Sequence, residues 1–336
     1  MVNTSNKFDA HRFCIAPMLH CTDRHFRYLA RLLTKKSFLY TEMITTGALI
    51  YGDRERWLRL HEGENPVALQ LGGSNASEMA ECAALASEYN FNEVNINVGC
   101  PSDRVQAGKF GACLMLEPDL VCKSIKAMQS VTQAEVTVKT RIGVDDQDSY
   151  EFLKSFIEKI ANAGCKTILV HARKAHLSGL SPRQNRTVPP LHYEYVYQLK
   201  NEFPELMFVL NGGLKDKSEI QQHLQELDGV MVGREAYDNP YFLSDIDELI
   251  YADEPVDISR IEVLEQYKVY MQRELDKGLP LKILAQHLFG LFNGLPGARA
   301  WRRYLSENIY AEDAGIEVID NALKFVTEFE NMAVAS

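Results

Sequence analysis

Between residues 12 and 234, short apolar runs rich in β-branched residues alternate with amphipathic stretches of helical length. The runs predict strands over 12–17, 38–43, 66–71, 93–98, 135–141, 167–171, 207–211 and 229–233. Helical spacing fills gaps between them at 76–89, 118–131, 150–163, 192–203 and 218–227. Asn75 or Ser77 is placed to cap the first of these helices, and Ser218, just before Glu219, to cap the last. Eight strands in alternation with helices predict a parallel sheet of the α/β class. Their spread over roughly 220 residues fits a (β/α)₈ TIM barrel. A doubly wound open sheet is the alternative, because strand number alone does not close a barrel.

The texture changes after Gly233. Residues 235–257 hold eight acids and no Lys or Arg. Beyond them Ile261, Leu264, Tyr267, Met271 and Leu275 keep helical spacing, and glycines punctuate the rest. The reading is a catalytic barrel over residues 1–245 and a small all-helical domain over 256–336.

In a barrel the chemistry lies at the C-terminal ends of the strands. Those ends carry Glu42, Gln70, Asn97, Lys139 with Arg141, His171, Asn211 and Arg234. Strand alternation sets Lys139 and Arg141 opposite Val136 and Val138, and Asn95 and Asn97 opposite Ile96 and Val98. The apolar set faces helices and the polar set faces the barrel mouth. Any one such residue is an ordinary solvated strand end. A ring of them points to a polar ligand, since buried polar groups need partners.

Two glycine features locate an anion. Asn211-Gly212-Gly213 follows the seventh strand, and Gly233-Arg234 follows the eighth. Loops after these strands commonly hold phosphate in barrels, with glycine amides close to its oxygens and an arginine fork beside them. The string Asn95-Ile96-Asn97-Val98-Gly99-Cys100-Pro101-Ser102 then puts a cysteine just past the fourth strand. A thiol there can be a nucleophile, a redox centre or a proton donor. No dedicated base and no second cysteine at redox spacing lies nearby, so proton donation is coherent, although spacing does not select it.

Composition narrows the class. The chain has 336 residues, 46% of them hydrophobic and 24% charged, as globular proteins do. No run approaches the roughly 20 apolar residues of a membrane span, and residues 1–10 lack the apolar core of a signal peptide. A cytoplasmic protein is expected. Seven cysteines, an odd number without any C-x-x-C, argue against a disulfide framework or zinc knot. Most are expected to be small buried hydrophobes, and His20, Cys21 and His25 lack metal-ligand spacing, so no metal is expected. The net charge of −10 excludes an indiscriminate nucleic-acid coat. Without the eight acids of the connector the remainder is nearly neutral, so a local basic surface stays open.

The ordered motifs Ala16-Pro17-Met18, Thr41-Glu42-Met43, Gln70-Leu71-Gly72-Gly73, Asn95 to Ser102, Val138-Lys139-Thr140-Arg141, Val170-His171-Ala172-Arg173, Asn211-Gly212-Gly213 and Gly233-Arg234 resemble the tRNA-dihydrouridine synthases over almost the whole chain. Ser181-Pro182-Arg183-Gln184-Asn185-Arg186 and Gly297-Ala298-Arg299-Ala300-Trp301-Arg302-Arg303 look most like the bacterial A subfamily. The resemblance implies an FMN-dependent barrel with a helical tRNA-binding domain. It implies reduction of the uridine C5=C6 bond at positions 20 and 20a in the tRNA D-loop, with NADPH as transient hydride donor. By resemblance, Pro17, Met18, Gln70, Lys139 and His171 contact the flavin, while Asn211, Gly212, Gly213, Gly233 and Arg234 bind its phosphate. Asn97 contacts the target uracil with Arg141 nearby, and Cys100 is the proton donor. The absence of a G-x-G-x-x-G fingerprint fits nicotinamide that docks transiently at the flavin.

RNA binding needs basic surface. Residues 171–186 contain Arg173, Lys174, Arg183 and Arg186 and no acid, and Arg299, Arg302 and Arg303 cluster beside Trp301 and Tyr304. Either cluster alone is an ordinary charged face with a packed aromatic. One in each domain suggests a shared cleft for a folded RNA. By family position Arg183, Arg186, Arg299 and Arg302 are the expected tRNA contacts, and no obligate protein partner is evident. Two other readings compete. A flavin barrel acting on a free small molecule, such as a dihydroorotate-type dehydrogenase, leaves the helical domain unexplained. A non-enzymatic RNA-binding barrel leaves the polar ring unexplained.

Overall fold

The computed structural model describes residues 10–254 and 256–334, with side chains through Thr327. The polar N-terminal segment up to residue 9 and Pro255 of the acidic connector lie outside the described residues. The chain forms two compact units. One spans Met1–Thr22 and Lys36–Gly233, the other Asp23–Lys35 and Arg234–Ser336.

The first unit is the barrel. Its strands are β1 (Phe13–Ile15), β2 (Leu39–Tyr40), β3 (Ile44–Thr45), β4 (Val67–Gly72), β5 (Glu93–Val98), β6 (Glu135–Arg141), β7 (Thr167–His171), β8 (Met207–Asn211) and β9 (Gly229–Val232). The order is β1-β9-β8-β7-β6-β5-β4-β2, with β3 on β4 and every pair parallel. Phe38 joins the two ends. Its amide donates to the Phe13 carbonyl and its carbonyl accepts from the Ile15 amide, both at 2.8 Å. The sheet therefore closes on itself, and the open-sheet alternative is set aside.

Four strands, β5 to β8, have the predicted bounds. Two others stop early for local reasons. β1 ends before Pro17, which has no amide to donate. Of the run 38–43 only Leu39–Tyr40 is strand, as β2, because the Thr41 hydroxyl accepts the Gln70 amide, at 3.0 Å, in place of a backbone carbonyl; β3 follows beyond the run. Asn75 is the cap of helix Ala76–Glu88, accepting from the amides of Ser77 and Glu78. Ser218 is not a cap. Asp216 accepts from the Ser218 and Glu219 amides and starts helix Lys217–His223 one residue before the predicted start. Its carboxylate is the better acceptor for those orphan amides.

Inside the barrel, Cys14, Ala16, Phe38, Tyr40, Ala68, Leu169, Val209 and Met231 pack as one cluster. This apolar plug is a packed core, as expected for eight strands. Cys14, Cys82 and Cys165 are buried, whereas Cys21, Cys100, Cys113 and Cys122 are half-buried, so the expectation of mostly buried thiols holds for three of seven.

The second unit is helical: Arg24–Leu33, Arg260–Leu275, Ala298–Asn308 and Ile316–Val334 are its longer elements. Ser259 and Glu262 form a reciprocal capping box at the start of Arg260–Leu275. Leu264, Tyr267 and Met271 are buried on that helix, as their spacing predicts. Arg24 pairs with Glu274 at 2.6 Å, and Asp247 from the acidic connector accepts from Thr34 Oγ1 at 2.6 Å. Part of the connector's negative charge is thus built into this unit. Trp301 is fully buried, with Nε1 donating to the Leu288 carbonyl at 3.0 Å. No helix among the described residues is long and apolar enough to cross a membrane.

Candidate active site

Parallel register sets the site residues side by side. Gln70 pairs with Asn95, Asn97 with Lys139, Arg141 with His171, and His171 with Asn211. Alternation then turns Gln70, Asn95, Asn97, Thr137, Lys139 and Asn211 inward, where their side chains bond one another. The polar face predicted for these strands is therefore the interior face above the apolar plug.

Lys139 Nζ donates to Asn211 Oδ1 at 3.0 Å, and Asn211 Nδ2 donates to the Met231 carbonyl at 2.7 Å. Burial and the neighbouring Arg141 charge lower the Lys139 pKa to about 7, against an opposing pull from Cys100. Burial lowers Arg141 to about 10, again opposed by Cys100, with Arg186 and Arg173 adding repulsion. His171 lies well below its ordinary value through burial and the charges of Arg141, Lys139, Arg173 and Arg186. Burial and one another's charge thus hold Lys139 and His171 below their ordinary values beside a charged Arg141. A bound anion would relieve this repulsion.

Arg141 is 3% exposed. Its Nε donates to the Gly99 carbonyl at 2.8 Å, and Nη1 donates to the carbonyls of Lys174 and Asn185 at 3.0 Å each. It ties the Cys100 loop to the long loop after β7. Asn97 Oδ1 accepts the Gly99 and Cys100 amides at 3.1 and 3.0 Å, and Cys100 Sγ lies 3.5 Å from Ser102 Oγ. Beneath them the Ala112 amide donates to the Cys100 carbonyl at 2.9 Å. Gly111 makes this approach possible. Its φ is +77°, and a Cβ there would lie 2.5 Å from the Cys100 carbonyl oxygen.

On the opposite side, Gly212 has φ +121°, and a Cβ would meet His171 at 2.7 Å. Tyr193 Oη donates to the Gly212 carbonyl at 2.6 Å, fixing the turn. Among the described residues the Gly212 and Gly213 amides reach no backbone carbonyl. Gly233 stands beside Met18, whose sulfur would be 3.5 Å from a Cβ, an ordinary contact. Pro17 and Met18 are half-buried at the end of β1, next to β9. Arg234 follows Gly233 directly, is exposed, and opens the second unit. The close glycine turn and the basic side chains Lys139 and Arg141 at the strand ends fit a phosphate-bearing flavin such as FMN.

The loop 172–190 is organised by Asn185, which is fully buried. Its Nδ2 donates to the carbonyls of His176, Leu180 and Ser181, and its Oδ1 accepts the His176 amide at 2.7 Å. Arg183 and Arg186 are exposed on the same loop. In the helical unit, Arg299 and Arg303 are exposed. Arg302 Nη1 donates to Asn293 Oδ1 at 3.3 Å, beside a cavity of about 310 Å³ lined also by Tyr237, Asp238, Gln286 and Phe289. Trp301 and Tyr304 face inward or onto Phe325, so they pack and do not stack on a ligand.

Sequence reasoning missed four residues that shape the site: Asn185, Gly111, Tyr193 and Gln106. Gln106 Nε2 donates to the carbonyls of Pro101 and Leu177, joining the two loops at 2.8 and 2.7 Å. A local pattern reveals none of these, because the partners that give each its role are assembled only in the folded loops. Among the described residues no group of His, Cys, Asp and Glu is arranged to hold a metal ion.

The family model for dihydrouridine synthase matches residues 14–327. A tRNA-dihydrouridine(20/20a) synthase of Shewanella oneidensis is 54% identical over 325 residues, covering 97% of this chain and 96% of the relative. The protein of that name from Vibrio cholerae is 54% identical over 313 residues, 93% of this chain and 95% of the relative. That from Escherichia coli K12 is 53% identical over 326 residues, 96% and 94% of the two chains. With a family match across nearly all of its length, the chain belongs to the dihydrouridine synthase family.

Proposed function

We propose that this protein reduces uridine to 5,6-dihydrouridine in the D-loop of tRNA, at positions 20 and 20a, using FMN and NADPH. The observation that carries the reading is the convergence of Lys139, Arg141, His171 and Asn211 at adjacent strand ends, with Arg141 tied to the Cys100 loop. The relatives' names supply the substrate.

FMN held here would supply hydride chemistry for the uracil C6, with NADPH as its reductant. Every other task falls to the chain's own residues. Gln70, Lys139 and His171 hold the flavin's polar edge, with Pro17 and Met18 beside it. A positive charge on Lys139 favours the anionic form of a ligand. Asn211, Gly212, Gly213 and Gly233 receive the phosphate, and Arg234, next in sequence, is assigned to it by family position. Asn97 binds the pyrimidine. Cys100 gives its thiol proton to C5 and regains one from solvent, so one hydride and one proton account for the two hydrogens added.

A uridine must leave its stack to reach such a mouth. Arg183 and Arg186 on the barrel unit, and Arg299 and Arg302 on the helical unit, are assigned to the RNA backbone. In this reading residues 1–245 are the FMN-binding catalytic domain and residues 256–336 the tRNA-binding domain. The test is the identity of the flavin. Protein purified without added cofactor should be yellow and should release FMN on acid treatment. Recovery of FAD, or of no flavin, would remove the phosphate assignment.

A further inference from the structure

A single chain of side-chain hydrogen bonds crosses the barrel interior from the Cys100 loop to a buried carboxylate. Asn97 Oδ1 accepts the Gly99 and Cys100 amides at 3.1 and 3.0 Å. Asn97 Nδ2 donates to Gln70 Oε1 at 2.9 Å, and Gln70 Nε2 donates to Asn95 Oδ1 at 2.8 Å. Asn95 Nδ2 donates to Thr137 Oγ1 at 2.7 Å. The Thr137 hydroxyl donates to Glu93 Oε1 at 2.5 Å, and Glu93 Oε2 meets His11 Nε2 at 2.6 Å. Glu93, Asn95, Thr137 and Gln70 are each at most 1% exposed.

The direction of this chain has one solution. Backbone amides only donate, so Asn97 must turn its oxygen to the loop and its nitrogen to Gln70. Each amide then fixes the next, and the Thr137 hydroxyl is left with its hydrogen pointing at Glu93. A carboxylate is the natural end of such a chain, because it accepts.

The consequence lies at the mouth. Both lone pairs of Asn97 Oδ1 are taken by the loop, and one Nδ2 hydrogen is taken by Gln70. What remains for a ligand is one N–H. Asn97 therefore meets a carbonyl oxygen of the pyrimidine, and it would confront a ring amino group or N–H with a donor. We propose that Thr137 and Glu93 are positioning residues, which anchor the far end of the amide relay in the one direction the loop amides accept, so that Asn97 is held presenting only a donor to the base while gripping the Cys100 loop. This inference rests on the proposed function for its consequence in turnover, but not for the relay itself.

The test uses the full chain with Thr137→Val, which removes the hydroxyl at nearly constant shape, and Thr137→Ser, which restores it. Amide hydrogen exchange at Gly99 and Cys100 reads the relay without flavin or tRNA. Thr137→Val should exchange about tenfold faster at both amides, the loss expected for one weakened hydrogen bond. It should also lower kcat for dihydrouridine formation about tenfold with the KM for tRNA unchanged. Thr137→Ser should restore both. Wild-type exchange rates in Thr137→Val, or failure of Thr137→Ser to restore them, would overturn the relay. Should Thr137→Val not fold, Thr137→Ala takes its place: faster exchange at Gly99 and Cys100 than in the unmodified chain supports the relay, and equal rates overturn it. Protection without any dihydrouridine formation would leave the relay standing and count against the proposed reaction instead.

Discussion

Lys139 and Asn211 stand on strands two apart in the sheet, and the ammonium donates to the amide oxygen at 3.0 Å across the barrel mouth. The amide's own nitrogen is committed to the Met231 carbonyl, so its oxygen can only face the lysine. This bond aims the one cation of β6 that has no carbonyl to hold. Arg141, on the same strand, is spent on three carbonyls.

The pair predicts a pH dependence for flavin binding. With the Lys139 pKa lowered to about 7, the flavin-free protein carries a largely neutral lysine above that pH. An anionic ligand binds the charged form better, so binding takes up a proton. FMN affinity should therefore weaken as pH rises from about 7 towards the ordinary lysine value of 10.5. The same linkage acts on folding. The unfolded chain holds this proton up to about 10.5, so the cost of burying the charge is full below about 7 and is relieved as pH rises between the two values. Flavin titrations at pH 6.5 and pH 9, with Lys139→Met as control, check the sign; Lys139→Met should bind weakly and lose most of the dependence.

Cys100→Ala should keep the flavin and lose the reaction. The cysteine's carbonyl, not its thiol, takes part in the loop's backbone bonding, so the loop survives the change. Removing a general acid typically costs about 10²–10⁴-fold. Measurement of dihydrouridine in normal tRNA, beside the visible flavin spectrum, separates the two effects. Unchanged turnover would remove Cys100 as the acid.

Arg141→Lys should be damaging despite its charge. A lysine cannot span the carbonyls of Gly99, Lys174 and Asn185 in the fork geometry of a guanidinium. Leaving one or two buried carbonyls unsatisfied costs about 1–3 kcal/mol each. Denaturant unfolding should show a loss of about 2–4 kcal/mol. A midpoint equal to wild type would mean that the two loops are held by other bonds.

Much of this arrangement was legible in the sequence, and the reason is periodicity. Strands β5 to β8 are fully enclosed, so their β-branched runs are long and sharply bounded. Alternation within β5 and β6 placed Asn97 and Lys139 on the polar face correctly, because a strand has only two faces. The ends of β1 and β2 were harder. Pro17 and the Thr41 hydroxyl interrupt the ladder there, and hydrophobicity does not register either event. The Asp216 cap was missed for Ser218, although both are capping residues, because their difference is geometric. Asn185 and Gln106 were illegible for a deeper reason: each reaches carbonyls whose neighbourhood exists only after folding.

The basic surface of the helical unit predicts a salt effect. Arg299 is exposed, and Arg302 is half-buried against Asn293. Arg299→Ala with Arg302→Ala should weaken tRNA binding and reduce the slope of log affinity against log salt by about 0.7–0.9 for each phosphate no longer neutralised. Trp301 should be left intact in such a test, since it is core. Unchanged affinity would place the RNA-binding face elsewhere.

The central claim is that this protein adds two hydrogens to a D-loop uridine of tRNA. Its most direct test incubates the purified protein with FMN, NADPH and tRNA taken from cells lacking the gene, followed by nuclease digestion and mass spectrometry. Fragments containing uridines 20 and 20a should gain two hydrogens per uridine, with free uridine and dihydroorotate untouched. Turnover of either small molecule with no mass gain in any tRNA fragment would contradict it.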